Sequence, residues 1–219
     1  MEISRYIEHT ILKTNVMQAE IEQLIEEAIQ YHFIGICVPP YWVKKCKRDL
    51  QKTDIVLVTV AGFPLGYSRT EVKAFEVQRA LEEGANEVDI VMNISAFKNN
   101  PKEWVKPEIA QIANLCHQAN AMLKVILETA YLSNEEIIFA SKLCEEAGAD
   151  FVKTSTGFAP SGASVEHVRL MRQSVGQNVG VKASGGIKTL AQTLELIQAG
   201  ADRIGTSSGV KIMKESNSI

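Results

Sequence analysis

The chain has 219 residues, 46% of them hydrophobic and 22% charged, a globular composition that excludes disordered, collagen-like and coiled-coil readings. Its 23 basic and 26 acidic side chains nearly cancel at a formal charge of −3, and with no long basic run a nucleic-acid partner is not expected. No window approaches the ~18 uninterrupted apolar residues of a membrane span, and the opening MEISRYIEHT lacks the basic-then-apolar order of an export signal, so a cytosolic protein with no membrane partner is expected.

Along the chain, short β-branched or aliphatic runs alternate with longer stretches of 3.6-residue periodicity, the order that builds parallel strands joined by crossover helices. The predicted strands are 7–12 (IEHTIL), 33–38 (FIGICV), 54–60 (DIVLVTV), 86–92 (NEVDIVM), 121–127 (AMLKVIL), 150–154 (DFVKT), 178–183 (NVGVKA) and 201–205 (ADRIG). Between the first two, the spacing predicts a helix over 18–30, with Ile21, Leu24, Ile25, Ala28 and Ile29 on one stripe and its glutamates mostly solvated.

A weak repeat reinforces this order. EEGANEVDIV, EEAGADFVKT and IQAGADRIGT each place a helix end, Gly-Ala, an Asn or Asp, and then a strand. Gly84, Gly148 and Gly200 suit the left-handed position that terminates a helix. Five positions after them stand Asp89, Lys153 and Gly205, at comparable heights on three strands. With no linker or composition shift, residues 1–219 read as one domain, and eight βα units of this length predict a single-domain (β/α)8 TIM barrel. A doubly wound sheet is the alternative, but its glycine fingerprint is missing after the first strand (KTNVMQAE).

Barrel strands are buried on both faces, so charges within them are informative. Asp89, Lys124, Lys153 and Lys182 are such charges. Lys124, near the start of its strand, fits the ordinary reading of a lysine whose ammonium reaches solvent. Lys153 and Lys182 each end a strand before a small-residue loop, at the end of a barrel that carries active sites. Two adjacent ammonium groups in a partly dry cavity lower the pKa of at least one, and a neutral amine attacks carbonyls. Asp89 is placed to hold the remaining positive charge and exchange protons with it. The bland alternative is a buried ion pair without chemistry.

ASGGIKT at 183–189 and GTSSG at 205–209 follow the last two strands, where barrels often hold a phosphate on backbone N–H groups and serine hydroxyls. Gly185 and Gly186 allow close backbone approach, and Ser207 and Ser208 supply donors, which together imply a phosphorylated small-molecule substrate. STGFAPSGAS, directly after Lys153, contours the same pocket. Dinucleotide and P-loop motifs are missing. Cys37, Cys46, Cys116 and Cys144 have no zinc-ligand spacing and the four histidines do not cluster, so reduced thiols, no metal and no cofactor are expected. Cys37 reads as a small pocket-lining residue rather than a nucleophile.

EHTILK, ICVPP, VAGFPLG, EVDIVMN, LKVILET, FVKTSTGF, VKASGGI and GTSS, spread from about Tyr6 to Val210, together resemble the deoxyribose-phosphate aldolases. The resemblance implies a class I aldolase in which Lys153 forms the Schiff base and Lys182 and Asp89 are the proton-transfer pair. It also implies reversible cleavage of 2-deoxy-D-ribose 5-phosphate to D-glyceraldehyde 3-phosphate and acetaldehyde, in deoxyribonucleotide catabolism. Gly185, Gly186, Gly205, Ser207 and Ser208 match phosphate positions, with Gly157 contributing through its backbone; Thr10, Cys37 and Thr156 match pocket positions. A homodimer or higher homo-oligomer is the family habit. Two departures stand out. Glu8 occupies a position often held by Asp, an exchange expected to alter pocket water without touching the mechanism. Some members also end in a tyrosine that assists proton transfer, whereas KESNSI here has no tyrosine after Tyr131, leaving that task to the lysine–aspartate relay and water. Two further readings use the same residues: a phosphosugar isomerase or synthase on the same barrel, with Asp89 as general base, and a non-catalytic phosphometabolite-binding protein.

Overall fold

A computed structural model describes residues 2–217; Met1, and Ser218 and Ile219 of the terminal KESNSI, lie outside the described residues. Strands β1 (Ile7–Thr10), β2 (Gly35–Val38), β3 (Val56–Ala61), β4 (Glu87–Val91), β5 (Met122–Ile126), β6 (Phe151–Lys153), β7 (Gly180–Ser184) and β8 (Arg203–Thr206) follow one another in chain order around a closed barrel. All pairs are parallel, and β1 pairs with both β2 and β8, so the sheet has no edge. Closure excludes the doubly wound alternative. Helices α1 (Gln18–Gln30), α2 (Val43–Asp49), α3 (Thr70–Glu82), α4 (Ile94–Asn99), α5 (Lys106–Gln118), α6 (Asn134–Glu146), α7 (Val165–Ser174), α8 (Leu190–Gln198) and α9 (Gly209–Ser216) form the crossovers and the final helix.

All eight expected strands are present, mostly trimmed by one to three residues at the ends, and α1 has the bounds that its periodicity predicts. The second strand begins late for a local reason. Phe33 still belongs to the end of α1, where its N–H donates to the Ala28 carbonyl beyond a left-handed His32 (φ 55°). The same closure ends α3, α5, α6 and α8, where Ala85, Ala121, Ala149 and Ala201 donate to Ala80, Cys116, Cys144 and Leu196 at 2.9–3.0 Å. Gly84, Gly148 and Gly200 take the left-handed position in three of these, as expected, and Asn120 takes it in the fourth.

The Asn or Asp of the repeat has its own task. Asn86, Asp150 and Asp202 accept side-chain hydrogen bonds from the N–H groups of Leu57, Leu123 and Val181, each at the foot of the preceding strand. Their own N–H groups donate to the carbonyls of those same residues. Each repeat thus clamps its strand to its neighbour in one register, and that register delivers the fifth position after the glycine to a common height.

Two regions are buried. The larger is the apolar layer between strands and helices, built from outward-facing residues such as Ile36, Leu57, Val88, Ile90, Leu123, Val125, Val152 and Val181. Within the barrel a small apolar cluster of Cys37, Val58 and Val60 lines one side. Ionised side chains occupy the other.

Candidate active site

In-register neighbours in a parallel sheet point the same way, and residues two apart share a face. Asp89 lies beside Lys124, and Lys153 beside Lys182. Register therefore turns residues scattered along the sequence into one buried constellation. Lys153 Nζ donates to Asp89 Oδ2 at 2.8 Å and Lys182 Nζ to the same oxygen at 2.7 Å. Lys124 Nζ takes the other oxygen, Asp89 Oδ1, at 3.1 Å. Glu87, two residues before Asp89, accepts from Lys124, and Glu8 on β1 accepts from Lys182. Three ammonium groups thus face three carboxylates with almost no solvent exposure.

Burial alone would push the Asp89 pKa up, but Lys124, Lys153 and Lys182 hold it well below the usual carboxylate range. Burial likewise opposes ionisation of Glu8, and Lys124 and Lys182 outweigh it, leaving that pKa lowered. For Lys182, burial works against the charge, yet Asp89 and Glu8 prevail and raise its pKa above the ordinary lysine value. Lys124 is raised in the same way by Asp89, Glu8 and Glu87. The sequence-based expectation of mutual repulsion between Lys153 and Lys182 omitted these carboxylates, which hold Lys182 charged.

Two other expectations are corrected. Lys124 does not reach solvent: it is fully buried, bound to Glu87 and Asp89, with its ammonium 5.6 Å from the centre of the Phe151 ring. Glu8 is not merely a contributor to pocket water, since its carboxylate bonds Lys182 directly. Glu8 and Glu87 were legible as charges in strands, and counting two positions back from Asp89 points at Glu87.

Above these ions a cavity of about 440 Å³ opens at the carboxyl ends of the strands, a volume suited to a sugar phosphate. Of the six buried ionised groups, Lys153 is the one on its wall. Thr10, Thr156, Gly157, Gly185, Gly186, Gly205 and Ser207 line it as well. Cys37 and Ser208 do not. Cys37 is fully buried in the apolar cluster, where burial pushes its thiol up to about 11. Ser208 precedes α9 and faces a neighbouring cavity behind β1.

The N–H groups of Gly157, Gly186 and Ser207 have no acceptor among the described residues, so the loops after β6, β7 and β8 offer a concave set of donors for an anion. Gly205 has a different necessity: a Cβ there would stand 3.1 Å from Lys182 Cε and from Ser184 Cβ, so the missing side chain leaves room for the lysine. The Thr156 hydroxyl is turned away to Glu128 rather than offered to the cavity.

The DeoC/LacD family aldolase profile matches residues 3–215. A deoxyribose-phosphate aldolase of Thermococcus kodakarensis is 54% identical over 97% of this chain and 96% of its own length. Its counterpart in Clostridium tetani is 49% identical over 99% of this chain and all of its own. Among solved structures, the tetrameric deoxyribose phosphate aldolase of Aeropyrum pernix superposes with a TM-score of 0.92 at 34% identity, covering 99% of this chain and 91% of that one. A closed parallel barrel, a buried lysine on the wall of its carboxyl-end cavity and a match along nearly the whole sequence agree, and this chain belongs to the DeoC/LacD family of aldolases.

Proposed function

We propose that this protein is a Schiff-base aldolase that reversibly cleaves 2-deoxy-D-ribose 5-phosphate to D-glyceraldehyde 3-phosphate and acetaldehyde, with Lys153 as nucleophile. The observation that carries the reading is the position of Lys153 Nζ. It lies on the cavity wall, 2.8 Å from the carboxylate oxygen that also binds Lys182. Lys124 and Lys182 each hold two carboxylates by hydrogen bonds, whereas Lys153 holds one and shares it. Lys153 is the amine that gives up least on reacting in its neutral form.

The neutral amine adds to the C1 aldehyde, and uptake of a proton with loss of water leaves an iminium. The C3 hydroxyl loses its proton toward Asp89 Oδ2, the C2–C3 bond electrons move into the iminium, and glyceraldehyde phosphate departs from an enamine. A proton returned to C2 regenerates an iminium, which water hydrolyses to acetaldehyde and free Lys153. Asp89 Oδ2, bonded to both nitrogens, links the reacting centre to the Lys182 ammonium, which remains off the cavity wall. Gly157, Gly185, Gly186 and Ser207 hold the phosphate, while Thr10 borders the sugar.

Borohydride added with acetaldehyde should fix a two-carbon adduct on Lys153, located by peptide mapping. An active enzyme with Lys153 unmodified would sink the reading.

Two further parts belong to the same proposal. Assembly into a homodimer or larger homo-oligomer is supported by the tetrameric Aeropyrum pernix relative and by the large exposed apolar side chains Tyr41, Leu65, Tyr67, Val72 and Phe75. Light scattering on the purified chain checks it. A cytosolic location is supported by four buried cysteines that are all unpaired. Among the described residues no helix is long and apolar enough to cross a membrane.

A further inference from the structure

Glu128 combines two features that oppose each other unless a third group needs them. Its backbone is left-handed (φ 44°, ψ 64°), a conformation that a long side chain rarely adopts, and the residue is only 4% exposed. On either side of it the β5–β6 ladder continues past the strand ends. Leu127 N–H donates to the Lys153 carbonyl and Thr129 N–H to the Thr154 carbonyl, both at 2.9 Å. The left-handed residue between these bonds is what sends its side chain across to the next stretch of the neighbouring strand.

There the carboxylate meets Thr156. Both oxygens lie 3.3 Å from the Thr156 N–H, and one accepts from the Thr156 hydroxyl. That hydroxyl oxygen in turn accepts from Phe158 N–H at 3.0 Å. One carboxylate therefore fixes the residues before and after Gly157, whose φ of 90° turns its own N–H out of these bonds. Gly157 faces the β7 loop closely, with its Cα 3.5 Å from where a Cβ on Gly185 would stand. Glu128 itself is not on the cavity wall, so whatever it contributes passes through this loop.

We propose that Glu128 is a positioning residue that sets the backbone of residues 156–158 so that the Gly157 N–H meets the substrate phosphate. The inference rests on the aldolase reading for the identity of the substrate. It assigns a task to an acidic residue that forms no part of the Lys153–Asp89–Lys182 group, and it accounts for the backbone strain at position 128.

The test uses the full chain and two variants. Glu128→Gly accepts the left-handed backbone without strain but removes the acceptor; Glu128→Gln keeps an oxygen acceptor for the Thr156 N–H. Each is assayed on 2-deoxyribose 5-phosphate and on unphosphorylated 2-deoxyribose, after a thermal melt has shown that it is folded. Glu128→Gly is expected to raise KM for the phosphosugar about tenfold, the size of one lost charge-assisted hydrogen bond. Its kcat, and its kcat/KM for the unphosphorylated sugar, stay within about threefold of the parent on the same scale. Glu128→Gln recovers most of the KM. Equal losses on both sugars, or no change on either in a folded Glu128→Gly protein, overturn the proposal. Calorimetric binding of inorganic phosphate separates it from the reading it rests on. If the parent cleaves neither sugar but Glu128→Gly still weakens phosphate binding about tenfold, the aldolase assignment fails and the positioning role stands.

Discussion

Glu8 and Lys182, 174 positions apart, are joined by a hydrogen bond across the barrel interior. The bond ties the first strand to the seventh and gives Lys182 a second carboxylate beside Asp89. Glu8→Gln keeps the shape and removes the charge, leaving three buried ammonium groups against two carboxylates. Stability should fall by about 3 kcal/mol, the cost of breaking a buried pair from one side, or roughly 6–12 °C in Tm for a chain of this size. Calorimetry measures it, and an unchanged Tm would overturn the reading of Glu8 and Lys182 as a stabilising charged pair.

Lys153→Arg retains a cation beside Asp89 but offers no amine that can form an iminium. Cleavage should drop by at least about 10⁴-fold, the scale on which removing a nucleophile acts, while the fold persists in circular dichroism. Substantial residual turnover would favour the isomerase-type reading, in which Asp89 acts as a base alone.

The pH dependence of stability follows from the same buried ions. Glu8 and Asp89 have folded pKa values below their unfolded ones, so their contribution is complete above about pH 4–5 and disappears as the pH falls through the lowered values. Lys124 and Lys182 have raised folded values, so theirs is complete below about pH 10 and is lost only as the pH rises beyond it. A Tm that is level between about pH 5 and 10 and falls steeply on the acid side is expected. In Asp89→Asn the acid limb should flatten and the plateau should sit lower.

Gly186→Ala tests the phosphate loops. A Cβ there meets nothing within 4 Å, but the φ of 78° strains any residue other than glycine. The N–H at 186 then tilts, and KM for the phosphosugar should rise about tenfold with kcat little changed. Gly185→Ala is the harsher change, because its Cβ would lie 3.0 Å from the Gly162 backbone; a loss of stability should accompany the higher KM.

Cys37 should resist iodoacetamide at pH 8 in the native protein, because its buried thiol is pushed up to about 11. Rapid labelling under those conditions would mean that the barrel wall opens.

Much of the architecture is written locally. The strand cores and the bounds of α1 follow from apolar periodicity, and Gly84, Gly148 and Gly200 announce their helix ends. His32 and Asn120 close helices in the same conformation without glycine, so they carry no such mark. The site is legible where chemistry and position coincide, as at Asp89, Lys153 and Lys182. Lys124 is not, because a strand buried on both faces has no polar–apolar alternation to show which way a lysine turns. The partners of Glu8 and Glu128, Lys182 and Thr156, are hidden for a related reason: they are set by cross-strand register and not by spacing along the chain.

The six interior ions also bear on the chemical cycle. In the resting protein their formal charges cancel, and an iminium on Lys153 carries the same unit of charge as the ammonium it replaces, so covalent capture asks for no electrostatic readjustment around it. The enamine is uncharged, but the proton given up by the C3 hydroxyl neutralises Asp89 at the same stage, so the interior stays balanced there too. No stage from ammonium to enamine strands a charge in the dry interior, so the cycle turns without the barrel having to admit a counter-ion.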